Sequence, residues 1–393
     1  MMAAVGCVVL LLAGCAAASQ AQVADAGASG PVVTAPSTPS PTVPPLPRPT
    51  RPPANSLTAE RMVEIETQCP DQARPRELAA LTQEQAAAVD FLTSTGQCDE
   101  VSHVIAEPDA PAFESPMQYI DPDCPRGDVL SFWAHFDDDL LFGSPALPQE
   151  LDAGHCLRTF FATGSDAGRG PEYATSREAG IRVAYDQLRG RSGPWTDETV
   201  RLRSGLTVTA TWPSDDRRIT LFFLRLPDGG LDAGGFAATG YQSLPMLLDG
   251  TISVMTTIDT GAAVTRDQLV ATALELVHAY RTIRVLAHLP GYAVGADGDH
   301  PDHQAIGTTI ALAADADAEL AAILDVAQGY GVRYRDWNIP DAELARKIAV
   351  FIAYAAYDPQ IGCATPEACL ARRSFGEWLP RQYLADYTAI QRR

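Results

Sequence analysis

A chain of 393 residues, 46% of them hydrophobic, carries enough apolar surface for one large domain with additions or for two domains. Its 49 acidic side chains against 29 basic ones leave a formal net charge of -20. That balance excludes a general phosphate-binding surface, because nucleic-acid affinity comes largely from Lys and Arg neutralising phosphates, so nucleic acid is not expected as a partner.

In chain order, residues 1–15 contain the apolar run Val8 to Leu12, too short to cross a bilayer as a stable helix. Its end, Leu12-Ala13-Gly14-Cys15, resembles the lipobox of a bacterial lipoprotein signal, although no Lys or Arg precedes the run. The resemblance implies cleavage before Cys15 and lipidation of that residue. The protein is then expected to be exported and to meet a membrane through the lipid anchor only, on the outer side of a bacterial cytoplasmic membrane. Six cysteines remain beyond Cys15: Cys69, Cys98, Cys124, Cys156, Cys363 and Cys369. The number is even and no pair has the Cys-x-x-Cys spacing of a metal site, so three disulfides in an oxidising compartment are expected. Fifteen pairings are possible. The nearest-neighbour set is Cys69 with Cys98, Cys124 with Cys156, and Cys363 with Cys369.

Residues 16–56 are rich in Ala, Ser, Thr and Pro and read as a disordered tether. Residues 57–123 read as a small helical N-terminal extension, with helix starts at Thr58 and at the capping box Thr82 to Gln85. The main domain, 124–393, alternates strand and helix signals. Val129 to Ala134 and Leu157 to Ala162 are buried-strand runs, and Tyr173 to Leu188 has a helical stripe. Thr207 to Trp212 and Ile219 to Leu224 look like an antiparallel hairpin. Thr265 to Gln268 is a capping box, Ile283 to Ala287 a strand, and Pro340 opens a last amphipathic helix. The alternation predicts an α/β fold, a Rossmann-like three-layer sandwich with a largely parallel sheet.

Two polar clusters stand at strand ends, where open α/β sheets bind ligands. The first is His135-Phe136-Asp137-Asp138-Asp139 and the second Asp299-His300-Pro301-Asp302-His303. His300 and His303, three apart at a helix start, share a face. His135 and Asp138 have the same spacing on a loop. Two imidazoles and a carboxylate with an open position make a catalytic zinc pattern. Taken alone, the first cluster also fits an Asp-rich loop at a helix start, where carboxylates suit the dipole. His288, at the end of the Ile283 strand, reads as a hydrogen-bonded scaffold residue. Trp133, Trp195 and Trp212 offer stacking faces for a sugar unless they belong to the core.

The segments Ala134-His135-Phe136-Asp137-Asp138-Asp139 and His300-Pro301-Asp302-His303 resemble the paired signatures of the PIG-L/LmbE-like zinc-dependent N-deacetylases, Ala-His-Pro-Asp-Asp-Glu and His-Pro-Asp-His. Ser176 to Gly180 and Leu226 to Gly229 are weaker matches, and the resemblance covers roughly residues 126 to 358. It implies a hydrolase that removes an N-acetyl group from an N-acetylglucosamine-type sugar or glycoconjugate, with one zinc per chain. His135, Asp138 and His303 become the metal ligands and Asp137 the general base. His300 stabilises the oxyanion or protonates the leaving amine, Asp302 tunes it, and Arg177 is a candidate substrate-binding residue or one half of an ordinary ion pair. Phe136 and Asp139 depart from the family's Pro and Glu, which bears on pocket shape and substrate preference. Two other functions fit the same residues: a surface-anchored carbohydrate-binding protein with a non-catalytic metal site, and a metal-dependent esterase or amidase acting on a non-sugar substrate.

Overall fold

The computed structural model describes residues 57–70 and 124–392, together with Leu78, Leu81, Ala86, Val89, Thr93, Cys98 and Val101. Cys15, the 16–56 tether and the Thr82 capping box lie outside the described residues. Helix α1 (Ala59–Gln68) starts at the cap read from sequence: the Thr58 side chain accepts the Arg61 N–H at 3.1 Å. Ile65 of this helix and Cys69 just beyond it share a small core with Leu78, Leu81, Ala86, Val89 and Val101. The Cys69–Cys98 disulfide cross-links that core.

The main domain is built on β1 (Asp128–Trp133), β2 (Cys156–Thr163), β3 (Trp195–Arg201), β4 (Thr207–Pro213), β5 (Ile219–Leu226), β6 (Met255–Thr256), β7 (Ala263–Val264), β8 (Thr282–His288), β9 (Leu324–Ala327) and β10 (Leu384–Asp386). Eight of these form one sheet in the order β10-β9-β8-β1-β2-β5-β4-β3, and β6 pairs with β7 apart from it. The five strands β9, β8, β1, β2 and β5 are mutually parallel. Antiparallel strands close both edges: β4 and β3 beyond β5, and β10 beyond β9. The α/β sandwich expected from sequence is the fold observed.

Helices α2 (Ala146–Asp152), α3 (Pro171–Leu188), α4 (Leu244–Asp249), α5 (Arg266–Ala279), α6 (Pro301–Ala316), α7 (Ala318–Ile323), α8 (Asp341–Ala355), α9 (Pro366–Ala371) and α10 (Phe375–Trp378) surround the sheet. Side chains alternate across a strand, so β1 supplies two cores at once. Val129 and Trp133 pack with residues of α3 and α8, whereas Leu130 and Phe132 pack with residues of α5 and α6. The Thr265 capping box is present in full, with both reciprocal bonds made.

β3 and β9 carried no strong sequence signal, for physical reasons. Trp195-Thr196-Asp197-Glu198-Thr199-Val200-Arg201 is an edge strand whose ladder needs a partner on one side only, and of its seven residues Val200 alone is fully buried. β9 spans four residues. The other two disulfides also follow the nearest-neighbour set: Cys124–Cys156 ties the entry of β1 to the start of β2, and Cys363–Cys369 closes a short loop after α8. Among the described residues, no helix is long and apolar enough to cross a membrane.

For function, the decisive feature is that β1 and β8 are adjacent and parallel, so the segments leaving their carboxyl ends emerge side by side. α6, which carries the second segment, comes very close to the backbone beyond β8. A Cβ at Gly307 would sit 2.5 Å from the His288 carbonyl oxygen and 2.7 Å from the Leu289 carbonyl carbon. The neighbour is backbone and cannot swing away, so only glycine permits this docking. Gly307→Ala is expected to destabilise the domain by about 1–3 kcal/mol through overpacking, read as a lowered midpoint in chemical denaturation.

Candidate metal centre

Beyond Trp133 the chain turns through His135, Asp137 and Asp138 into a π-helical turn at Asp139–Gly143, a geometry found mostly at functional sites. Beyond β8 it returns at His300, the N-cap of α6, followed by Pro301 in the first helical turn, where its missing N–H costs nothing. These local signals bring the two sequence clusters together. His135 Nδ1 lies 3.2 Å from His303 Nε2 and 3.3 Å from Asp138 Oδ2, and His303 Nε2 lies 2.9 Å from Asp138 Oδ1. Ligand atoms at about 2.0–2.1 Å from a tetrahedral zinc stand roughly 3.3 Å apart. All three side chains are buried.

The donor set fits a divalent cation on its chemistry as well as its spacing. His303 Nδ1 lies 2.9 Å from Asp299 Oδ1, the carboxylate–imidazole arrangement that fixes a ring and leaves its other nitrogen free to ligate. The same Asp299 oxygen accepts the backbone N–H groups of His300 and Tyr330. Asp138 Oδ2 accepts the His135 N–H at 2.6 Å and lies 3.0 Å from Nε2 of His288. The His288 ring stacks on His303 with centroids 4.1 Å apart. Burial and the neighbouring His303 hold His288 down to about 4, so it is a neutral scaffold imidazole. Burial pushes the Asp138 carboxyl up, but His303, His135 and His288 outweigh it and hold the carboxyl well below the usual range. Among the described residues His288 could also be grouped with Asp138 and His303 as a donor, and His300 with His135 and His303.

The N-cap bond argues against His300 as a ligand. Its Nδ1 accepts the Asp302 N–H at 3.1 Å, so the neutral ring carries its proton on Nε2. Burial and the nearby His135 and His303 depress its pKa well below the usual histidine value. His300 is therefore a neutral N–H donor, with Nε2 4.0 Å from Asp228 Oδ1. The Asp302 carboxylate stands 3.9 Å from His300 Nδ1, beyond hydrogen-bond distance; its Oδ2 accepts the Gly229 N–H at 2.8 Å and faces His135 Nε2 at 3.4 Å. Asp228 Oδ2 stands 3.5 Å from the same nitrogen, which is buried and makes no hydrogen bond.

Asp137 is held differently. Arg177 Nη2 donates to its Oδ1 at 2.7 Å, while Nη1 donates to the Ser165 carbonyl and Nε to the Tyr354 hydroxyl. Asp358 pairs with the same guanidinium at 3.1 Å. Burial raises the Asp137 carboxyl, Arg177 opposes that, and the charge of Asp138 adds to it, for a net rise. Arg177 is buried, so it is no surface ion pair; it orients Asp137 and lines the same cavity. That cavity measures about 370 Å³, and its lining includes His135, Asp137, Asp228, His300, Tyr330 and Trp378.

The two departures from the family signature point away from this cavity. Phe136 is fully buried and packs edge-on against Phe161 and Phe223 at centroid distances of 5.4 and 5.2 Å. Asp139 accepts the Tyr185 hydroxyl at 2.7 Å, and burial raises its carboxyl to about 8. Trp133 and Trp212 are core residues, and Trp195 packs half-buried against the core. The pocket aromatics are instead Tyr173, Tyr330, Phe375 and Trp378. Sequence reading left Asp228, Tyr330, Tyr354, Asp358 and Trp378 without roles. Only the Asp228 loop had a motif; the others lie where no local pattern marks them.

No family model matches the chain, and no curated protein matches it. Three solved structures are distantly similar. The A40926 pseudoaglycone deacetylase Dbv21 aligns with a TM-score of 0.34 and 17% identity over 60% of this chain and 82% of its own. The conserved protein TT1542 from Thermus thermophilus aligns at 0.34 and 19%, over 66% and 93%. The zinc-inhibited form of teicoplanin deacetylase Orf2 aligns at 0.35 and 14%, over 60% and 85%.

Asp299 touches His303 from behind, so Asp299→Asn is expected to lower zinc affinity about 10–100-fold, measured by competition with a chromogenic chelator, with the circular dichroism spectrum unchanged.

Proposed function

We propose that this protein is a zinc-dependent hydrolase that removes the acetyl group from an N-acetylated amino sugar or glycoconjugate, acting outside the cytoplasmic membrane. The observation that carries the reading is the convergence of His135 Nδ1, His303 Nε2 and Asp138 within 3.3 Å, beside a separate carboxylate, Asp137, that Arg177 aims into the same cavity. His135, Asp138 and His303 would hold the metal, which supplies Lewis acidity toward the carbonyl and lowers the pKa of water.

The chain's own groups account for the proton traffic. Asp137 takes a proton from the attacking water as its oxygen bonds to the acetamide carbon. His300, locked by its cap as an Nε2–H donor, offers a hydrogen bond to the oxygen that gains charge. Of its two expected roles, this favours oxyanion stabilisation, since a neutral imidazole is a poor acid. Asp137 then returns the proton to the nitrogen as the C–N bond breaks, giving acetate and a free amine. Asp302 keeps His135 and the Gly229 loop in place.

A pure binding module has no use for Asp137, which supports turnover over a non-catalytic metal site. The three disulfides favour an oxidising compartment, and a lipid on Cys15 with the 16–56 tether would hold the domain on the outer side of the cytoplasmic membrane.

The zinc-loaded protein is expected to release acetate from N-acetylglucosamine-containing cell-wall fragments or glycolipids, and a chelator should abolish this. Asp137→Asn should lose at least about 10²-fold in kcat while retaining one zinc by elemental analysis. Full activity in that variant would overturn the assignment of the base, and absence of any bound divalent metal in the wild type would overturn the centre itself.

A further inference from the structure

We infer that Tyr334 and Trp337 form a platform, outside the cavity, for the sugar residues that extend beyond the one being deacetylated, so that the substrate is a glycan chain and not a single sugar. This rests on the amino-sugar reading of the centre.

Tyr334 is 85% exposed and Trp337 63%, while the aliphatic neighbours Val332 and Ile339 are buried. Clustered exposed apolar surface marks interaction sites, and here two large rings are left in water three residues apart. The segment is held in place. Asn338 exchanges hydrogen bonds with the backbone of Gln382 in both directions, and Arg381 Nε donates to the Arg335 carbonyl. The exposure is therefore a property of an anchored surface.

The Tyr334 end of the platform is linked to the cavity wall. Tyr330 and Trp378, both cavity walls, stack with centroids 4.2 Å apart and planes within 7°. Tyr330 also meets the His303 ring edge-on at 5.1 Å. The Arg333 guanidinium lies within 6.0 Å of the ring centres of Tyr330, Trp378 and Tyr334, linking the inner pair to the outer ring. Arg381 stands over Trp337, 6.0 Å from its ring centre. Rings alternating with guanidinium groups suit a sugar chain: the rings take the apolar C–H faces, and the guanidinium donors reach hydroxyl or carboxylate oxygens. A self-association face would need an apolar core, and no aliphatic side chain is exposed in this segment.

The test compares the zinc-loaded full chain with Tyr334→Ala, Trp337→Ala and the double variant, on N-acetylglucosamine and on its β-linked tetramer. The double variant is expected to lose about tenfold in kcat/KM on the tetramer, equivalent to about 1.4 kcal/mol and carried by KM, and to stay within about twofold on the monomer. An equal loss on both substrates, or none on the tetramer, overturns the proposal. So does a wild-type dimer that light scattering shows to dissociate in the variant while tetramer hydrolysis is unchanged. Binding is read separately: the tetramer should quench tryptophan fluorescence of the Asp137→Asn protein, and do so less when Trp337→Ala is added. Should the wild type release no acetate from either sugar, the deacetylase reading fails, while the quench still decides whether the platform binds a glycan.

Discussion

The structure depends on keeping a carboxylate, Asp138, buried among three imidazoles. A lone ionised carboxyl in that position would pay a desolvation cost of several kcal/mol. Here His303, His135 and His288 each approach one of its oxygens within 3.3 Å. The His135 contact is local to the segment after β1, but those of His288 and His303 exist only because β1 and β8 lie side by side, since these two belong to the second strand and to the helix after it. The sheet order is thus a condition of the centre's electrostatics.

Around that constraint the supporting contacts divide the labour. Asp299 gathers His303, His300 and Tyr330 onto one oxygen, fixing the start of α6 and the 3₁₀ turn that carries Tyr330. Asp302 joins the His135 ring to the loop at Gly229, and the fit there is tight enough that a Cβ on Gly229 would meet an Asp302 oxygen at 2.6 Å. Arg177 draws on α8 and the loop after it, through Tyr354 and Asp358, to set Asp137. The candidate ligands His135 and His303 and the candidate base Asp137 thus draw their supporting contacts from different elements.

The C-terminal segment, which lies beyond the family resemblance, is structurally part of the domain. β10 extends the sheet, Gln382 bonds the Phe142 carbonyl and the Ala146 N–H, and Lys347, the chain's single lysine, spans the carbonyls of Leu141 and Arg381. These contacts hold the π-helical turn that follows Asp138. The same segment places Trp378 and Phe375 on the cavity wall. Much of the pocket's aromatic wall therefore comes from residues far from the motifs, while Phe136 and Asp139, where the motif departs from the signature it resembles, serve the core.

By itself the sequence determined the α/β alternation, the caps at Thr58 and Thr265, the disulfide count, and the two clusters that meet at the centre. Each of these is set by local physics: hydrophobic period, capping chemistry, or donor types at short spacing. Tertiary structure decided the rest. Asp228, Tyr354, Asp358 and Trp378 acquire their places through contacts across tens to hundreds of residues, for which no local pattern exists. The tautomer of His300 followed from one backbone N–H at a helix start, and Arg177 became the support of Asp137 only because α3 packs against α8. Residue types and spacing are written along the chain, but which side chains face one another is fixed only when the strands align.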